Sequence, residues 1–239
     1  MRKTHVFYLI SLFSYKERKA FQSFLASPYF NRRPETSRLF DYFDDCIRLG
    51  IEEFDAQKAF AQTFQGLPYD DQKMRHSLHY LKRAVETFLA LEEWQDTPIL
   101  PDISLLRSYK KKEAIHFFEK QMNTTLENLE RSPFRDIQYH FNKYAFYQEH
   151  YEYTNRTKRK GEMFLQEQTD ALTIFYISGI LRQSCIIQSH QNITASDYNQ
   201  ELVDLVIERV KNGLFREEPS VAIYFHSLQA LQNLKDDHA

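Results

Sequence analysis

Between Ala171 and Ile187 the chain reads ALTIFYISGILRQSCII, its most apolar stretch. Wound as a helix, this run carries apolar side chains nearly all the way round. A helix without a polar face has to be covered on several sides, so the rest of the chain is expected to supply helices that wrap it. The run is too short to cross a bilayer and holds Arg182 and Gln183 within it, which favours a buried central helix over a membrane span. Arg182 is the polar exception, because a buried guanidinium has to be paired or face a cavity. Gly179 sits mid-run, where it costs about 1 kcal/mol against alanine. It is expected to mark the closest approach of a neighbouring helix.

The remaining composition agrees with helices. The 239 residues can bury a sizeable core, as one extended domain or two small ones. There are 5 Gly and 7 Pro against 20 Phe and 15 Tyr, too few turn formers for a many-turned β fold. The net charge of −2 recruits neither nucleic acid nor an anionic membrane by its overall field. Cys46 and Cys185 lie far apart in helical patterns and read as reduced, buried thiols of a cytoplasmic protein. Val6–Phe13 follows Arg2 and Lys3 but is short and lacks a small-residue cleavage site, so a first helix is expected there, not a leader. Asn-X-Thr sequons at Asn123, Asn155 and Asn192 then read as chance matches.

Taken in order, Ser14-Tyr15-Lys16-Glu17 forms a capping box and opens a helix that Ser27-Pro28 ends. Tyr29, Phe30 and Asn31 make an aromatic turn, and Pro34 suits the start of a helix closed by Gly50. A short helix spans about Asp55 to Phe64. From Asp70 or Asp71 a long one carries Met74, Leu78, Leu81, Val85 and Phe88 in steps of four and three. Pro98 and Pro101 mark the domain boundary, giving an N-terminal bundle over 1–97 and a second domain over 98–239.

Beyond it, a helix from about Asp102 to Arg131 is expected to break near Lys110-Lys111-Lys112. A second, starting at Phe134, holds eight aromatics to Tyr153. A polar loop from Thr154 to Gly161 precedes the apolar run, Asp197 caps a helix closed at Gly213, and a last helix runs from about Glu218 to Leu234. Such helical pairs, each leaving an apolar face for the next, describe an α-solenoid, although no clean repeat period is present.

Residues Leu12 to Phe21, the run Phe24-Leu25-Ala26-Ser27-Pro28-Tyr29-Phe30-Asn31 and the stretch Phe64 to Asp71 resemble a group of uncharacterised bacterial helical proteins. The Ser-Pro-Tyr-Phe-Asn turn is the most specific part of the likeness. It implies later helices similar to tetratricopeptide repeats and relatives that run longer, so the chain is expected to end within a longer solenoid. It implies no activity and carries no site residues.

Catalytic signatures are absent from the sequence. There is no glycine-rich phosphate loop and no Gly-X-Ser-X-Gly elbow. His76 and His79 have the spacing of a metal-binding pair without further ligands, and Glu149-His150, like His116 near Glu119, reads as ordinary helix-surface chemistry. Two binding surfaces are candidates. Tyr144, Tyr147 and Tyr151, with Arg182 and Gln183 of the next helix, are the expected lining of a partner groove, since tyrosine buries area while its hydroxyl stays wet. The alternative is a helix-turn-helix-like element over 55–83, with Lys73, Arg75, Lys82 and Arg83 as phosphate contacts. The basic run Arg156 to Lys160 reads as a solvated loop.

The expectation is thus an all-α protein, an N-terminal helical bundle followed by a tetratricopeptide-like superhelix. It acts as a cytoplasmic, non-enzymatic scaffold for a protein or peptide partner and needs no cofactor, metal or membrane. A DNA-associated regulator is the alternative, although nucleic acid is not the favoured partner.

Overall fold

The computed structural model describes residues 5–157, 163–191, 194, 198–199 and 201–236. Among them are eleven helices and no strand, with 78% of the protein helical. The chain divides into two compact units, Met1–Asp96 and Thr97–Ala239. The expected cap at Asp197, the sequon at Asn192 and the basic residues 158–160 lie outside the described residues.

The first unit holds α1 (His5–Ser11), α2 (Tyr15–Ala26), α3 (Pro34–Arg48), α4 (Ala56–Thr63) and α5 (Asp71–Asp96). Each boundary has a local cause. The Ser14 hydroxyl accepts from the Glu17 amide at 3.2 Å while the Glu17 carboxylate accepts from the Ser14 amide at 2.6 Å, which completes the capping box. Those same bonds hold the Glu17 carboxyl below its ordinary range. Pro34 occupies the first turn of α3, and Gly50, at φ 71°, takes the left-handed conformation beyond its end. Asp55 and Asp70 accept backbone amides at the starts of α4 and α5.

Phenylalanine dominates this core. The fully buried Phe21 ring meets Phe40 at 4.9 Å, Phe88 at 5.2 Å, Phe24 at 5.9 Å and Phe13 at 6.0 Å. These pairings join α2, α3 and α5 and the turn before α2. α5 supplies Met74, Leu81, Val85 and Phe88 to the core, all members of the stripe read from the sequence, and sets its charges outward.

The second unit holds α6 (Leu100–Lys111), α7 (Ile115–Glu130), α8 (Ile137–Thr157), α9 (Leu165–Gln191), α10 (Glu201–Lys211) and α11 (Pro219–Asp236). The break expected near Lys110–Lys112 separates α6 from α7, and Glu113 there takes a left-handed φ of 55°. α8 starts later than expected, at Ile137, because Asp136 caps it by accepting the Tyr139 amide at 2.8 Å. It also ends later, at Thr157, so Thr154–Thr157 is helix where a loop was expected.

α8 packs antiparallel on α9, with Phe141 beside Phe175 and Gln148 bonded to Gln168. α9 rests as broadly on α11, where the Ser178 hydroxyl donates to Ser220 Oγ at 3.0 Å between two buried residues. α6 is tied to α8 through the buried Glu149 carboxylate, which accepts from Arg107 Nε at 2.7 Å and from Lys110. Lys110 also reaches Glu152, whose carboxyl these bonds pull below its ordinary range.

Candidate interaction surfaces

Three expectations about α9 need correcting. Its length is 27 residues, so it is long and apolar enough by composition to cross a membrane, although a packed core helix passes the same test. Arg182 and Gln183 are exposed, so no buried guanidinium has to be compensated. A Cβ built on Gly179 meets no atom within 4 Å, so no neighbour comes closest there; the tight approach is one residue earlier, at Ser178.

The helical wheel explains all three. Ala171, Ile174, Ile177, Ser178, Leu181, Ser184 and Gln188 are buried and occupy one side of α9. On the opposite side Leu172, Tyr176, Gly179, Gln183 and Ile186 follow in steps of four and three. Leu172 is 43% exposed, Tyr176 45% and Ile186 50%, and Leu165, one heptad before Leu172, is 51%. Among the described residues, the cover that the run's composition calls for is therefore supplied on one side only. Large apolar groups left in water as a continuous row mark an interaction surface.

The structure does not gather the tyrosine groove. Tyr147 is buried, Tyr144 and Tyr151 are half-buried, and Tyr147 stacks on Phe164 just before the start of α9. Burial pushes the Tyr147 hydroxyl above its ordinary range. In the register set by Phe141–Phe175 and Gln148–Gln168, Tyr151 and Tyr147 lie against the first turns of α9 and Tyr144 near Leu172, about 15 Å short of Arg182 at the helical rise, so the tyrosines and Arg182-Gln183 do not line one groove. Seen now, the missed residues Leu172, Tyr176 and Ile186 carried a signal, namely heptad spacing inside an apolar run.

The basic candidates on α5 are exposed, but they do not form one phosphate-binding face. Arg75 pairs with Asp71, and Lys82 with Glu86 at 3.3 Å. Lys73 points about half a turn away from both. Nor does the pair α4–α5 pack as a helix-turn-helix, since both helices rest chiefly on α3. Arg83 alone has a further role. It joins Tyr29, Arg32, Arg33, Thr36 and Tyr80 around a cleft of about 350 Å³ whose lining contains no carboxylate.

The Ser-Pro-Tyr-Phe-Asn turn builds one wall of that cleft. Asn31 knits the turn, donating to the Leu25 carbonyl and to Ser37 Oγ, both at 3.0 Å, and accepting the Arg33 amide. Phe30 stacks on Phe24 at 4.3 Å, which leaves Tyr29 84% exposed. The Arg33 guanidinium lies 3.8 Å over the Tyr80 ring. The hydroxyl of Thr36, a buried residue in the cleft lining, has no hydrogen-bond partner among the described residues.

Glu149 is the ion-paired clasp just described, and no group of three metal-ligating side chains occurs among the described residues. Cys46 and Cys185 are free thiols, the first buried and the second half-buried, and burial raises the Cys185 pKa. His140 is buried 3.1 Å from Glu218, and burial, with Lys143 and Arg135 adding to it, keeps the imidazole below its ordinary pKa despite the carboxylate. The chain matches no protein-family model, no curated protein and no solved structure.

Proposed function

We propose that the protein is a non-enzymatic, cytoplasmic interaction module whose second unit is a tetratricopeptide-like stack that holds a protein partner on the outer face of α9. The open row Leu172, Tyr176 and Ile186, on a helix whose opposite side is packed, carries this reading. The arrangement of α6 and α7 as a hairpin, with α8 against both and α9 paired with α8, supports the stack. A double substitution, Leu172→Glu with Ile186→Glu, tests the function. Purified from its host, the wild-type chain is expected to retain a protein that the double variant loses at unchanged helix content. Equal recovery from both variants removes α9 as the binding face.

The arginine–tyrosine cleft favours one second reading, which refines the nucleic-acid alternative. Guanidinium groups beside exposed rings suit a single strand, whose phosphates and bases they meet together, better than a duplex. Anisotropy of a labelled short oligonucleotide at low salt is expected to rise with the wild type and not with Arg33→Glu, Arg83→Glu. No rise with the wild type ends this reading.

A further inference from the structure

The arginine–tyrosine cleft of the first unit carries positive charge that its lining does not offset. Arg32, Arg33 and Arg83 all line it, and no carboxylate does. Arg83 enters no ion pair among the described residues, and Arg32 Nε donates to the Pro28 carbonyl at 3.4 Å. Arg33 Nη1 reaches Glu35 at 3.5 Å, with both side chains partly exposed. An ion pair that long and that wet neutralises little. Three guanidinium groups around one cleft repel one another, so an anion entering between them removes a cost that the free protein carries.

Two further features prepare the site. The Tyr80 ring holds the Arg33 guanidinium at 3.8 Å, which occupies one face of the plane and leaves its N–H edge for an acceptor. Arg83 follows Tyr80 by one turn on α5, so ring and second guanidinium share a helix face. On the first turn of α3, Thr36 lines the cleft at 1% exposure, and its hydroxyl has no partner among the described residues. A buried hydroxyl left unmatched costs stability, which an acceptor brought by a ligand recovers.

We infer that this cleft is a seat for a nucleoside monophosphate, either a free nucleotide or the phosphorylated end of a single strand. The inference rests on, and sharpens, the single-strand reading of the same cleft. A phosphate monoester carries a charge of about −1.5 to −2 near neutral pH, against about −1 for a diester within a strand, so the arginines favour an end over an interior. At about 350 Å³ the space stands at the low end for small-molecule sites, room for one nucleotide and not for several in a row. One face of Tyr80 is taken by Arg33, so the ring left open to a base is Tyr29 on the turn, 84% exposed, while Arg83 stands on α5. A nucleotide, whose sugar separates ring from phosphate, spans two such points better than a phosphorylated phenol, whose phosphate sits on the ring.

Titration of the whole chain with defined probes tests the seat. AMP is expected to bind about 10-fold more tightly than adenosine, and a terminally phosphorylated pentanucleotide about 10-fold more tightly than its unphosphorylated form. Arg33→Gln with Arg83→Gln is expected to abolish both preferences. Glu35→Gln, which frees Arg33, is expected to tighten AMP about two- to five-fold, a gain that a misfolded variant does not give.

Equal affinity for AMP and adenosine, AMP binding that survives the double arginine variant, or tighter binding of phenyl phosphate than of AMP overturns the inference. If the two pentanucleotides bind alike and AMP does not bind, the monophosphate seat falls and the single-strand reading stands. If AMP binds and neither pentanucleotide does, the ligand is the free nucleotide and the single-strand reading falls. If no probe binds, both fall.

Discussion

α5 and α9 differ by one residue in length, 26 against 27, and the two units dispose of them in opposite ways. α5 concentrates its apolar side chains in one stripe, which the first unit buries, and turns ion pairs such as Lys82–Glu86 outward. α9 is apolar on both sides, and the second unit covers one of them. The ordinary amphipathic pattern of α5 encodes a helix that needs only its own unit. The apolar surface on the outer side of α9 exceeds what packing among the described residues uses, and the proposed partner face rests on that excess.

The sharpest way to break the contrast is inside the cores. Phe21→Ala removes the ring on which Phe13, Phe24, Phe40 and Phe88 converge, and is expected to cost about 4 kcal/mol in chemical denaturation. A loss under about 1 kcal/mol would show that the first unit is not organised around that ring. Next in size, Glu149→Ala removes the buried carboxylate that ties Arg107 and Lys110 of α6 to α8 and leaves Lys110 only Glu152, an expected loss of about 2 kcal/mol on the same assay. Glu149→Gln, which keeps an acceptor, is expected to lose less.

The second unit also carries a histidine whose burial links stability to pH. His140 has a folded pKa below the ordinary 6.5, so its unfolded form binds a proton first as acid is added. Stability contributed by keeping it neutral is complete above pH 6.5 and is lost as pH falls from there toward the folded pKa. Thermal scans from pH 7.5 to 5 are expected to show a falling midpoint that His140→Gln flattens, whereas an unaltered slope in that variant would assign the effect elsewhere. The smallest effect is a gain. Gly179→Ala meets open space and relieves a helical glycine, so about 0.5–1 kcal/mol of stabilisation is expected.

Legibility followed the same contrast. The first unit was readable because its signals are local: Ser14 with Glu17, Pro34, Gly50 and the α5 stripe each act within a few residues. In the second unit the break between α6 and α7 was legible from a lysine run, while the ends of α8 were not. Asp136, two residues beyond the expected start at Phe134, caps it.

The corrections on α9 have one origin. Periodicity shows that a helix has two apolar sides but not which of them a neighbour takes, because that depends on how α8 and α11 dock. For that reason the expectations of a paired guanidinium at Arg182 and of a close neighbour at Gly179 fail, and the groove expected from Arg182, Gln183 and the tyrosines of α8 is undone by the antiparallel register that separates them. The Arg33–Tyr80 cleft was hidden differently, by some fifty residues of intervening chain.

One measurement addresses the central claim, that the outer row of α9 is not part of what holds the chain together. It compares unfolding free energies at low protein concentration for wild type, Leu181→Ala and the double variant Leu172→Glu, Ile186→Glu. Leu181 is fully buried, and its truncation is expected to cost about 2–5 kcal/mol. The double variant is expected to stay within about 0.5 kcal/mol of wild type, as substitutions on an open surface do. A loss in the double variant as large as that of Leu181→Ala would contradict the account, because the outer row would then be covered from within the chain.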